Sequence, residues 1–305
     1  MTWGFGSDAD AHTPSVPVAT PTKVDDTEST QPAADVAKRQ QSTNPSGDLL
    51  TRRCEQRAVH VSRQLGKDAK TLIRAPFVLA SPMSRADLEQ LYNDVIHPTT
   101  QALQTAYFDR LPDEPITLVV FSREARYREY AQRVDRRPMT GYYGYYLRDE
   151  RRVVINLATG HGTLAHELTH ALSHFDFAKM PEWFDEGLAS LHEECEFTTD
   201  GLKLLGLPNW RLAQLRQALE NGRMLTLTAF TTSPQVRIEE KGIDYAHGRY
   251  LCLYLQSRGV LGDFYRKYRT NYATDPYGHR SLCQVLHVND LDAVQAMFLD
   301  WIDEQ

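Results

Sequence analysis

Residues 163–172 read Thr-Leu-Ala-His-Glu-Leu-Thr-His-Ala-Leu, and residues 181–189 read Pro-Glu-Trp-Phe-Asp-Glu-Gly-Leu-Ala. The first stretch follows the loop Gly160-His161-Gly162 and a Thr163 cap. It carries Leu164, Ala165, Leu168, Ala171 and Leu172 as the burial face of a helix. His166 and His170 are four apart, so they project one turn apart from one face and both imidazoles can reach one ion. Glu167 lies about 100° around the axis from His166, out of easy reach of that ion but within reach of a water bound to it. In the second stretch Pro181 suits the first turn of a new helix, and the loop at 175–180 is long enough to reverse the chain. Glu186 then points back at the first helix. Two imidazoles, a carboxylate base and a third carboxylate are the parts a zinc ion needs to turn a bound water into a nucleophile.

The neighbours of these residues carry further expectations. Gly187 and Ala189 are small where two helices must approach for Glu186 to reach an ion held by the other. Trp183 and Phe184 are expected to wall the site and keep it dry. Asp185 is either an acceptor for a ligand imidazole N–H or a solvated first-turn carboxylate. His174 shares the helical face of His166 and His170 but sits two turns from His166, too far for one tetrahedral ion. It reads as a C-terminal cap.

Together the two stretches resemble the zinc metallopeptidases of the gluzincin group, within the zincin-like superfamily. The specific match spans about residues 142–192 and a weaker layout 71–302. The resemblance implies one zinc ion held by His166, His170 and Glu186, with Glu167 as general base. It also implies an oxyanion partner from the helical half, for which Tyr245 or His247 in Ile-Asp-Tyr-Ala-His-Gly-Arg-Tyr are the candidates. For both, packing on the core is the competing role. The Gly-x-Met-Glu-Asn segment of the group's large aminopeptidases is missing, which points to endopeptidase-like peptide hydrolysis. The implied mechanism has Glu167 take a proton from the metal-activated water and return it to the leaving amine. The competing readings are a metal-binding interaction or sensing module of this fold without catalytic activity, and a purely structural metal site. The second would want a fourth protein ligand.

Along the chain the pattern is α+β: a mixed α/β front with a small sheet, then an almost wholly helical back, with the site helix at the seam. Residues 1–47 are rich in Pro, Thr, Ser, Asp and Gln, and are expected to be a disordered tail or linker. Residues 48–196 are assigned to the α/β lobe carrying the motif and 197–305 to a helical lobe that completes it. A helix is expected over 49–66, a strand over 71–80 with Pro76 near an edge or bulge, and a long helix over 84–108 kinked at Pro98. A strand at 116–121 and a hairpin of 142–147 with 153–157 follow. In the run Gly141-Tyr142-Tyr143-Gly144-Tyr145-Tyr146, alternation places Tyr143 and Tyr145 on one face and Tyr142 and Tyr146 on the other. One pair should be core and one exposed, and the strand could pair with an extended substrate.

Composition narrows the partners. With a formal charge of −6 and no basic stripe interleaved with aromatics, nucleic acid is not expected. The arginines Arg123, Arg126, Arg128, Arg133, Arg136 and Arg137 read as a solvated face. No apolar run approaches the roughly 18 residues of a membrane span. The expected partner is a peptide or protein substrate. Cys54, Cys195, Cys252 and Cys283 form no Cys-x-x-Cys pair; Cys252 with Cys283 could bridge, or all four could be free thiols. No signal peptide is visible, yet the Pro/Thr-rich lead-in before a hydrolase suits an exported, periplasmic or envelope-tethered protein better than a cytoplasmic one.

Overall fold

The computed structural model describes residues 45–137 and 143–305, so most of the expected tail, and Tyr142 with it, lies outside the described residues. Helix α1 (Pro45–Leu65) ends where Gly66 takes a positive φ of 87°, the left-handed stop that glycine accepts without a Cβ clash. The stretch expected as one strand over 71–80 is two: β1 (Lys70–Arg74) and β2 (Phe77–Ser81), antiparallel, with Arg74 opposite Phe77. The reversal falls on Ala75-Pro76, because a proline without an N–H is better placed in a turn than within a ladder.

The long helix that follows opens on a capping box between Ser84 and Asp87. It comprises α2 (Arg85–Leu91), a π-helical turn (Tyr92–Ile96) and α3 (His97–Ala106). The wide turn lies just ahead of Pro98, whose ring cannot coexist with a regular bond to the Asp94 carbonyl. Then come β3 (Ile116–Phe121), α4 (Glu124–Val134), β4 (Gly144–Leu147) and β5 (Arg152–Asn156). The sheet order is β1-β2-β3-β5-β4, with β2, β3 and β5 parallel and both edges antiparallel. Every residue of β2, β3 and β5 is buried, as parallel strands covered on both faces require. Val78, Ala80, Val119, Phe121 and Val154 pack under α1 and α4. Leu79, Leu118, Val120, Val153 and Ile155 face the main core instead.

A short 3₁₀ turn leads into α5 (Gly162–Asp176) and α6 (Glu182–Glu193). A hairpin of β6 (Cys195–Phe197) and β7 (Leu204–Gly206) separates them from the helices α7 (Arg211–Glu220), α8 (Leu227–Thr232), α9 (Lys241–Ser257), α10 (Leu261–Asn271), α11 (His279–Leu286) and α12 (Leu291–Glu304). The front is thus a sheet with flanking helices and the back is almost entirely helical, as its periodicity predicts. Helix α9 is its hub: twelve of its residues are buried, and it packs on α6, α7, α10 and α12. The buried carboxylate of Asp176, at the end of α5, accepts from the backbone N–H of Asp109 and Arg110 and pairs with Arg269 of α10. That network fixes the far end of the site helix to both halves. All four cysteines are free. No helix among the described residues is long and apolar enough to cross a membrane.

Candidate metal centre

Helix α5 begins at Gly162, so Thr163 lies inside its first turn and His161 occupies the cap position without a side-chain cap bond. A Cβ on Gly162 would meet the Glu193 carbonyl oxygen at 2.2 Å, because the start of α5 lies against the end of α6. Leu164, Leu168, Ala171 and Leu172 are buried in the core, and the opposite side of α5 presents His166, Glu167, His170 and His174 to a cleft of about 1000 Å³. The facing wall supplies Asp185, Glu186 and Glu193 from α6 and Tyr245 from α9.

His166 Nε2 lies 3.2 Å from His170 Nε2, and Glu186 Oε2 lies 3.6 Å from each. A tetrahedral ion with bonds of about 2.0–2.1 Å holds its ligand atoms about 3.4 Å apart, which is the size of this triangle. Glu186 Oε2 is buried without a hydrogen-bond partner, an arrangement that a cation between the three atoms would satisfy. Burial, helped by the neighbouring His170, pushes the His166 imidazole down to about 4, so it stays in the neutral, ligating form. The three donors come from two helices, and the group contains no fourth protein ligand among the described residues. That is the donor count of a catalytic rather than a structural zinc site.

The Asp185 carboxylate bridges two histidines. His170 Nδ1 donates to its Oδ1 at 2.9 Å and His174 Nε2 to its Oδ2 at 2.9 Å, while Ser173 Oγ sits 3.3 Å from Oδ1. Holding the proton on His170 Nδ1 leaves the Nε2 lone pair facing the triangle. Burial opposes the charge on both partners, but their pairing outweighs it. Asp185 is held well below the usual carboxylate range and His170 well above the usual imidazole one, so without an ion Nε2 carries a second proton that a bound cation would displace. His174 is therefore neither a ligand of the triangle nor a helix cap. It steadies Asp185 from the other side, and Tyr146 packs on its ring at 5.4 Å.

Glu167 is buried beside the triangle without belonging to it. Burial raises its carboxyl to about 7, the His170 charge working against this and the Glu186 and Asp185 charges with it. Tyr245 also lines the cleft, where burial first and the Glu186 charge second push its phenol well above the usual range.

Four expectations need correcting. His247 does not reach the cleft: it is fully buried, stacked between Phe230 at 4.0 Å and Phe298 at 5.8 Å. Residues two apart on a helix point about 200° apart, so with Tyr245 turned to the cleft His247 must face the core. Trp183 and Phe184 do not wall the site; both pack against Phe264 and Tyr268 in the core. The walls are instead Tyr143, Tyr145, Tyr146 and Tyr245. Gly187 faces Gly248 of α9 rather than α5. Of the tyrosine run, Tyr145 is buried against Tyr127 on the α4 side, Tyr146 faces α5 and Tyr143 is exposed.

The cleft also holds an ion pair that sequence reasoning missed, Glu193 with Arg211 at 2.8 Å. Glu193 lies seven residues after Glu186, two turns along the same face, and that spacing could have shown it. Arg211 comes from a different element and leaves no such trace. No protein-family model and no curated protein matches the chain. The donor triangle and its neutral imidazole have the geometry of the zinc-dependent hydrolytic centre typical of metallopeptidases. The His166-Glu167-x-x-His170 stretch and Glu186 together form a metal-binding cluster that matches the HExxH-type site of the gluzincins.

Proposed function

We propose that this cleft hydrolyses peptide bonds, with an extended substrate laid along β4. The observation that carries this reading is the position of Glu167, buried at the triad yet outside its donor set. When bound, a zinc ion there supplies Lewis-acid polarisation and lowers the pKa of a coordinated water.

Strand β4 supports the choice of substrate. Asn156 N–H donates to the Tyr143 carbonyl across β4 and β5, so Tyr143, Tyr145 and Leu147 direct their backbone groups into the sheet. Gly144 and Tyr146 then direct theirs outward, at the edge that borders the cleft. A peptide main chain can pair there without using either terminus, which supports endopeptidase-like action. Gly144 is required where it stands, since a Cβ would meet Thr163 Cγ2 at 2.6 Å and Ile155 Cδ1 at 2.7 Å.

Glu167 accepts the proton of the attacking water and delivers it to the amine nitrogen as the C–N bond breaks. Tyr245, at the cleft wall, offers its hydroxyl to the developing oxyanion. The Asp185–His174 pair keeps His170 in one tautomer throughout. An exported or envelope-associated location belongs to the same reading, supported by the composition of residues 1–47. The test is Glu167→Gln, assayed on a peptide library beside metal analysis. Retained zinc with lost cleavage is the expected result, and undiminished cleavage refutes the base.

A further inference from the structure

The charged lining of the cleft divides into committed and uncommitted groups. Glu193 and Arg211 neutralise one another, Asp185 is held by two histidines, Glu186 faces the imidazole pair with Glu167 beside it, and Lys241 lies over the Tyr245 ring at 5.0 Å. Arg137 and Arg148 also line the cleft and are exposed. Arg137 lies over the Tyr145 ring at 5.2 Å, and Arg148 donates to the Ala178 carbonyl. Neither contact supplies negative charge. Of the acids nearest in sequence, Asp135 and Glu150 both pair with Arg152, and Asp149 does not line the cleft. In a chain of net charge −6, two cations without a carboxylate partner among the described residues thus sit where the substrate would lie.

Their positions are informative. Arg148 follows the last residue of β4 directly, and Arg137 lies against Tyr145 from the other side of that strand's start in sequence. A main chain paired to the outward-facing groups of Gly144 and Tyr146 would run past both arginines. From Tyr145, which Arg137 touches, to Arg148 is three residues or about 10 Å along the strand, so side chains reaching the two arginines would lie about three to five residues apart. We propose that the cleft selects peptides carrying Asp or Glu on both flanks of the segment that pairs with β4, one flank meeting Arg137 and the other Arg148. This rests on the peptide-cleft reading above and adds the substrate class to it.

The test uses two peptides of one sequence, flanked by Glu or by Lys, and measures their binding to zinc-loaded Glu167→Gln protein by fluorescence anisotropy. An exposed Arg–carboxylate pair is worth about two- to fivefold in affinity, so both pairs give about a tenfold preference for the Glu peptide. The preference should shrink towards unity between about 50 mM and about 500 mM salt, as the screening length falls. Arg137→Gln and Arg148→Gln should each remove about half of it on a logarithmic scale, and each for a different flank in singly substituted peptides. Equal binding of the two peptides overturns the proposal, as does a preference that survives both substitutions. Cleavage by the wild type separates the two readings. If both peptides are cut with equal kcat/KM and bound equally, charge selection alone falls. If neither is cut but the Glu peptide still binds selectively, the hydrolytic reading falls and the selection stands.

Discussion

Gly187 of α6 and Gly248 of α9 meet backbone to backbone. A Cβ on Gly187 would lie 2.7 Å from the Gly248 carbonyl oxygen, and one on Gly248 would lie 2.8 Å from the Trp183 carbonyl oxygen and 3.0 Å from the Gly187 Cα. This crossing places Tyr245, one turn before Gly248, and Glu186, one residue before Gly187, on the wall of one cleft. The catalytic face of the helical half is therefore positioned by two missing side chains.

Gly248→Ala should destabilise the protein. Alanine gains up to about 1 kcal/mol of helix propensity, but forcing a methyl into backbone contact costs about 1–3 kcal/mol more than the site can absorb without moving the helices apart. A Tm lower by several degrees is expected, with zinc affinity reduced because Glu186 moves with α6. An unchanged Tm would show that α6 and α9 do not touch here.

Asp185→Asn should weaken zinc without abolishing the fold. The amide keeps one acceptor oxygen for two histidine donors and loses the charge that fixes the His170 tautomer. Loss of such a carboxylate typically costs ten- to a hundredfold in metal affinity. Competition titration against a chelator measures it directly, and wild-type affinity in the Asn variant would reject the orienting role.

The triad was legible because it depends on spacing within one helix and between neighbours in sequence, whereas Asp185 stayed open between acceptor and solvated carboxylate until the two histidines were seen on it. The apolar runs at β2, β3 and β5 were legible because buried parallel strands need them. What failed was what depends on distant partners. Gly187 was correctly read as a close-approach residue, but its partner lies 61 positions away on α9, and no local pattern names it. The reversal at Ala75-Pro76 was marked in the sequence only by Arg74 and Pro76, which a bulge or edge position accounts for equally well. Helical phase alone, by contrast, could have excluded His247 once Tyr245 was chosen, and Phe184 once Glu186 was.

His247 gives a pH signature. Burial pushes its imidazole down to about 3, with the Arg237 charge adding to this, and neither ring nitrogen has a hydrogen-bond partner. An unfolded histidine titrates near 6.5, so between about pH 6.5 and pH 3 the unfolded chain binds a proton that the folded chain refuses. Stability from this group is complete above pH 6.5 and falls by about 1.4 kcal/mol per unit as pH drops through that window. Glu167 and His170, whose folded pKa values are raised, act in the opposite sense. The comparison of wild type with His247→Phe cancels them. Phenylalanine preserves the stack between Phe230 and Phe298. The variant should gain about 2–3 kcal/mol on wild type between pH 7.5 and pH 4.5. Parallel stability curves would mean that His247 is not buried neutral.

Arg249 should be the costliest single loss outside the metal site. Its guanidinium is fully buried on α9 and donates to the carbonyls of Ser190, Leu191, Glu194 and Leu207. Ser190 and Leu191 lie in the last turn of α6, whose carbonyls have no partners within the helix and whose dipole favours a cation. Arg249→Met leaves the Ser190, Leu191 and Leu207 carbonyls without it, while Glu194 keeps the Leu207 N–H; at about 1–3 kcal/mol for each unsatisfied acceptor, a loss of about 3 kcal/mol or more is expected. Arg249→Lys keeps the charge but not the planar fork that serves several carbonyls at once, and should fall between the two. Urea unfolding of the three proteins sets the order. A Met variant as stable as wild type would show that α6 does not need its end closed from α9.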